Sequence, residues 1–255
     1  MNSRRILVLL GCAVCFSTTA FGIVLWGGDL AANLKAPTNG APWNRVAKVG
    51  DPSGSGVYLG KRFVITANHV TGLGPIVLNG VTYDRDTTFP PTQIGSQDLK
   101  LIRIVGDPGI SGVPLIGPRE SEFARRCMVI GWGLGRGEAV PLQGWKWGST
   151  RVQRWGMNNT YPYVIQTPDG PRMATSFDRG WGASEMSLAN ADSGCGLFIY
   201  LGGIWKLAGI GTDVDDNAAY YDRNLTRAGN QPTRSYYVRI RPNRAAILAI
   251  INAAE

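Results

Sequence analysis

Histidine is nearly absent from this chain: there is one, His69, in 255 residues. Cysteine is sparse as well, with Cys12 and Cys15 near the start and only Cys127 and Cys195 beyond them. One imidazole and two thiols do not make a tetrahedral zinc set, so no metal site is expected. The run Gly131-x-Gly133-x-Gly135-x-Gly137 lacks the strand-loop-helix setting and the lysine of a phosphate cradle, so no nucleotide or other cofactor is expected either. Also missing is any basic repeat interleaved with aromatics. Lysines and arginines are scattered, with local doublets such as Lys61-Arg62 and Arg125-Arg126, so the net charge of +8 reads as a solvated cationic surface and not as a nucleic-acid site.

Long helical patterns are lacking until the very end. Thirty-four glycines and 15 prolines punctuate short segments rich in Val, Ile, Trp and Tyr, the composition of a β protein. Strands are predicted at Arg45–Val49, Val57–Leu59, Phe63–Thr66, Ile76–Tyr83, Lys100–Val105, Met128–Trp132, Tyr163–Thr167, Gly196–Tyr200, Trp205–Ile210 and Tyr236–Ile240. Arg241–Ala254 reads as a helix, with Pro242 in its first turn and Ala245, Ile247, Leu248, Ile250 and Ile251 as its docking face. At the other end, Arg4 and Arg5 precede an apolar stretch from Ile6 to Phe16, and small residues at Thr18, Ala20 and Gly22 suit cleavage after Ala20 or Gly22. Residues 1–22 are thus read as an export signal, which makes the mature protein secreted or periplasmic with a charge of +6 and no stable membrane insertion. The competing readings are an uncleaved anchor over residues 6–25 and a lipoprotein box at Leu9-Leu10-Gly11-Cys12.

The single histidine ends an apolar strand, Phe63-Val64-Ile65-Thr66-Ala67-Asn68-His69, which delivers an imidazole to the edge of a packed element. An isolated acid, Asp98, heads the strand Asp98-Leu99-Lys100-Leu101-Ile102, with Asp84, Asp86 and Asp107 as rivals. Ser193 lies among small residues in Ala191-Asp192-Ser193-Gly194-Cys195-Gly196. A serine hydroxyl becomes a nucleophile when an imidazole takes its proton and a carboxylate fixes the imidazole tautomer. His69, Asp98 and Ser193 are the candidate catalytic set.

In this order the three segments resemble the histidine, aspartate and serine motifs of the chymotrypsin-like (trypsin-fold) serine peptidases. Gly54–Leu59 with Lys61–Thr66 resembles the hairpin before the family's histidine, and Gly131-Trp132-Gly133 its G-W-G segment. Leu207–Gly211 resembles the strand beside the substrate backbone, and Tyr237–Ile240 the strand before the final helix, so the likeness covers about 200 residues. It implies an all-β fold of two antiparallel six-stranded β-barrels with a C-terminal α-helix. His69 and Asp98 would come from an N-terminal barrel (residues 23–117) and Ser193 from a C-terminal barrel plus helix (118–255), with the crossing at Pro114–Ser121. It further implies a serine endopeptidase that acts as a monomer on polypeptide through an acyl-enzyme.

The same resemblance assigns further roles and exposes departures. The backbone N–H groups of Ala191 and Ser193 would form the oxyanion hole, but the family has glycine where Ala191 stands, and a turn requiring positive φ there would strain an alanine by about 1–2 kcal/mol. That departure supports an alternative, a catalytically weakened homologue that binds peptides or a partner; an esterase-like hydrolase is the third class. Ser187 and Thr212 fall at the substrate pocket, with Ser187 giving a neutral floor and Asp213, Asp215 or Asp216 bringing negative charge to the rim. Asp192 matches the carboxylate that receives a new N-terminal amine, which cleavage after Gly22 would supply on Ile23. Cys127 matches one half of a family disulfide, whereas Cys195 stands four residues short of the other half, a shift of roughly 13 Å along a strand. Both a bridge and two buried thiols stay open.

Overall fold

The structure, a computed structural model, describes residues 23–27, 31–50, 54–221 and 231–254. The proposed signal, residues 1–22, lies outside the described residues. A two-residue strand β1 (Val24–Leu25) is followed by 3-10 turns at Ala32–Leu34 and Trp43–Arg45. Then come β2 (Val46–Val49), β3 (Gly54–Gly60), β4 (Phe63–Thr66), β5 (Ile76–Leu78), β6 (Val81–Tyr83), β7 (Thr92–Gln93) and β8 (Lys100–Arg103). These seven form one antiparallel sheet in the order β6-β5-β2-β3-β4-β8-β7. Its central strand β4 is buried along its whole length, as its unbroken Phe-Val-Ile-Thr run demands.

The second half opens with β9 (Arg126–Gly131), β10 (Leu134–Val140), β11 (Gly144–Arg151), β12 (Arg154–Asn159), β13 (Ile165–Thr167), β14 (Gly170–Ser176) and β15 (Met186–Ser187). It closes with β16 (Gly196–Leu201), β17 (Ile204–Val214), β18 (Ala218–Tyr220), β19 (Arg234–Arg239) and helix α1 (Ile240–Ala253). Another seven-stranded antiparallel sheet results, ordered β12-β9-β16-β17-β19-β14-β13, beside a three-stranded sheet β10-β11-β18 and the pair β1-β15. The chain changes sheets within a few residues: Val113 donates to the carbonyl of Tyr58 in β3, while Ile116 donates to Leu207 in β17. One continuous apolar core joins the two halves, from Val57, Phe63 and Ile65 to Val129, Leu197 and Tyr237. Helix α1 packs over β17 and buries Ile240, Ile247 and Ile251; Ala245, expected on the docking face, is exposed.

One other sequence expectation changes, and one left open is settled. Ile76–Tyr83 is a hairpin and not a single strand, because Asn79 (φ 51°) and Gly80 (φ 76°) both take the left-handed backbone of a tight turn. Cys127 and Cys195 are both buried free thiols. In the ladder between β16 and β9 the residue opposite Cys127 is Ile199, four positions beyond Cys195, so the strand register itself keeps the sulfurs apart.

Candidate active site

The cleft between the sheets gathers three loops. His69 follows the buried end of β4, Asp98 stands two residues before β8, the neighbour of β4, and Ser193 lies between β15 and β16. Because β4 and β8 pair through Thr66 and Lys100, the residues just beyond that end of the ladder meet. Asp98 Oδ2 lies 2.7 Å from His69 Nδ1, and its Oδ1 accepts the His69 backbone N–H at 2.9 Å. On the far side of the ring, Nε2 is 2.7 Å from Ser193 Oγ. A carboxylate at Nδ1 places the neutral ring's proton there, which leaves Nε2 as the acceptor for the serine proton. The hydrogen bond that His69 donates to Asp98 raises the His69 pKa above its usual 6.5, more than burial lowers it. For Asp98, burial pushes upward, but the hydrogen bonds from His69 together outweigh it and hold the carboxyl below its usual value.

Ser55, which sequence reasoning missed, ties these loops together. It is fully buried on β3; its N–H donates to the Ser193 carbonyl at 2.7 Å, its carbonyl accepts from Thr66 Oγ1 at 2.7 Å, and its Oγ accepts the Trp132 N–H at 2.8 Å. The histidine strand, the serine loop and the Gly131–Gly133 segment therefore share one anchor. The only signal in the sequence is a small polar residue between Gly54 and Gly56. Gly194 completes the packing: at φ 88°, a Cβ there would sit 1.9 Å from the Ser55 carbonyl oxygen, so no side chain fits.

In the serine loop, Asp192 donates its N–H to Ala189, Gly194 to Gly211 and Cys195 to Asp192, whereas the amides of Ala191 and Ser193 have no hydrogen-bond partner among the described residues. Those are the two N–H groups a developing oxyanion would need. Ala191 has φ 66°, the left-handed backbone that sequence reasoning made a condition of strain. The Asp192 carboxylate is fully buried and accepts N–H groups from Gly133 at 2.8 Å and Ala189 at 3.0 Å. Burial raises its pKa to about 7, against those hydrogen bonds and the positive charges of Arg154 and Arg151.

A cleft of about 770 Å³ includes His69, Asp98, Thr212, Asp213 and Asp215 in its lining. Thr212, expected at the substrate pocket, lines this cleft. Ser187, expected there as well, is fully buried in β15 opposite Val24 of β1, and its hydroxyl donates to the Leu188 carbonyl at 3.2 Å. Val24 there packs with Phe177, Ala189 and Ala219 under Trp26, Trp145 and Tyr221. Asp84, Asp86 and Asp107 stand apart from the triad; Asp86 pairs with Arg103 at 2.8 Å. Among the described residues no group of His, Cys, Asp and Glu is placed to hold a metal ion.

No described protein family and no curated protein matches the sequence. Solved structures do: the HtrA-type protease AlgW, captured with a decapeptide, superposes with a TM-score of 0.50 at 15% identity, over 78% of the present chain and 51% of that one. The chain therefore has the trypsin-like fold of the chymotrypsin-like serine proteases. It spans about half the length of that neighbour.

Proposed function

We propose that this protein is an exported serine endopeptidase with His69, Asp98 and Ser193 as its catalytic triad. The observation that carries the reading is the hydrogen-bonded line Asp98 Oδ2, His69 Nδ1, His69 Nε2, Ser193 Oγ, with both gaps at 2.7 Å. Ser193 Oγ attacks the scissile carbonyl carbon as its proton passes to His69 Nε2, and the carbonyl oxygen takes up negative charge facing the amides of Ala191 and Ser193. Collapse of this intermediate breaks the C–N bond; the imidazolium returns its proton to the leaving amine, and an acyl-enzyme remains. Water then repeats the cycle with His69 again as base, which releases the acid product and restores Ser193. Asp98 stays ionised throughout and stabilises the imidazolium.

Export is supported by the basic and apolar order of residues 4–16. An anchor reaching residue 25 fits less well, because Val24 and Leu25 form a buried ladder with Ser187 and Met186. Maturation after Gly22 would leave Ile23, only 1% exposed, as the first residue, with its α-amine as the partner of Asp192, a buried carboxylate whose pKa burial raises to about 7. N-terminal sequencing of the secreted form checks this; a start elsewhere than Ile23 rejects it.

Digestion of casein by the mature protein, compared with Ser193→Ala, tests the main reading. Proteolysis lost in the variant supports a peptidase. Hydrolysis of simple esters with no proteolysis would instead support the esterase, and neither activity the peptide-binding homologue.

A further inference from the structure

Among the described residues, one arginine lines the cleft. Arg172, near the start of β14, is 3% exposed, and its Nη1 is buried with no hydrogen-bond partner among the described residues. It nonetheless lines the same cleft as His69. Buried donors are nearly always bonded, so an arginine that lines an open cleft while one of its buried N–H groups lacks an acceptor among the described residues marks a place where an acceptor is missing.

Strand register accounts for its direction. Ala174 lies opposite Tyr236, and Tyr236 opposite Asp213. Arg172 is two residues from Ala174 and shares its face, so it stands two residues along the ladder from the Ala174–Tyr236–Asp213 row, and Arg172, Tyr236 and Asp213 all line the cleft. The ladder between β16 and β17 ends at Gly196 and Ile210, and among the described residues no strand continues it along Thr212–Val214. An extended polypeptide laid on that edge would run past Thr212 and Asp213, which line the same cleft as Arg172.

The cleft carboxylates do not answer the arginine. Asp98 is committed to His69, and Asp215 accepts the Tyr236 hydroxyl at 2.7 Å and the Arg234 N–H at 3.3 Å. Asp169 and Asp213 are exposed, where water and salt screen them. The desolvated charge is that of Arg172, and desolvated charges interact most strongly.

We propose that Arg172 forms a subsite for an aspartate or glutamate side chain of the polypeptide substrate, a few residues from the bond that is cut. The subsite rests on the hydrolase reading above. A guanidinium fork matches a carboxylate in shape and charge, whereas the isosteric amide of glutamine offers only one oxygen and no charge.

The test is a positional-scanning library of fluorogenic peptides digested by wild type, Arg172→Gln, Arg172→Glu and Arg172→Lys. At one position, wild type should favour Glu over Gln by about tenfold or more in kcat/KM. Arg172→Gln should erase that preference, Arg172→Glu should turn it toward Lys, and Arg172→Lys, which retains the charge if the glutamine variant fails to fold, should keep part of it. Fluorophosphonate labelling of Ser193 should be equal in every folded variant. An unchanged profile at every position in the variants overturns the subsite and leaves the hydrolase reading intact. If wild type resists fluorophosphonate and cuts nothing, the hydrolase reading fails alone, and the same pools passed over immobilised protein still decide: selective retention of acidic peptides, lost in Arg172→Gln, supports the subsite, and equal retention overturns it.

Discussion

Replacing Ala191 with glycine probes the residue where this chain departs most from the fold's usual serine loop. Ala191 already holds φ 66° in the resting structure, so its strain is carried by the folded state and does not await substrate. Left-handed backbone costs an L-residue about 1–2 kcal/mol. Glycine removes that cost but gains freedom in the unfolded chain, an opposing effect of about 0.4–1 kcal/mol. The net gain expected for Ala191→Gly is about 0.5–1 kcal/mol, which raises Tm by roughly 1–4 °C for a protein of this size. Differential scanning calorimetry of the mature protein reads it. The same reasoning sets the kinetic outcome: the amides of Ala191 and Ser193 have no hydrogen-bond partner among the described residues before the change, so the fluorophosphonate labelling rate should stay within about threefold. A lower Tm would refute the strain argument. A labelling rate raised tenfold or more would show instead that the alanine Cβ impairs the oxyanion hole, and would favour the weakened homologue.

Three further outcomes follow from the geometry. Asp98→Asn should slow Ser193 labelling by about three to four orders of magnitude. It should also move the midpoint of the labelling-pH profile downward, because the hydrogen bond that raises the His69 pKa is lost; an unmoved midpoint contradicts the assignment of Asp98. Gly194→Ala should destabilise the protein by more than about 3 kcal/mol, since its Cβ has no room beside the Ser55 carbonyl oxygen and Thr66 Oγ1; a near-native denaturation midpoint would contradict the packing. Burial lifts the pKa of Glu185, which accepts the Asp178 N–H, from 4.5 to about 8. A raised folded-state value means that the folded protein holds the proton more tightly, so stability is greatest below the unfolded value and declines as pH rises through about 8. Glu185→Gln should flatten that decline in urea titrations at acid and alkaline pH, and an equal slope in the two proteins would count against it.

The proposed triad was legible because each candidate lies within a few residues of a patterned strand. The Phe-Val-Ile-Thr run of β4 and the Leu-Lys-Leu-Ile run after Asp98 pair in register, and this alone brings His69 and Asp98 together. The strands that escaped notice have weaker patterns. β10 and β11 carry Gly135, Gly137, Gly144 and Gly148, which read as loop, and they owe their conformation to pairing with each other and with β18. β14 begins with Gly170-Pro171, a turn signal that hides the buried run Arg172–Thr175. Asn79-Gly80 was a legible hairpin signal in a segment that apolar character alone presented as one strand. Ser55 and Arg172 were not legible at all: one stands out through hydrogen-bond partners in three separate segments, the other through an acceptor it lacks among the described residues, and neither property leaves a local pattern. The burial of Ser187 depends on Val24, more than 160 residues away in sequence, for the same reason.

The most direct measurement of the central claim is intact-mass analysis of the mature protein after treatment with a fluorophosphonate, followed by peptide mapping. One phosphonyl adduct is predicted, on Ser193, absent in Ser193→Ala and formed far more slowly in His69→Ala. An unmodified protein, or an adduct on any other residue, would contradict it.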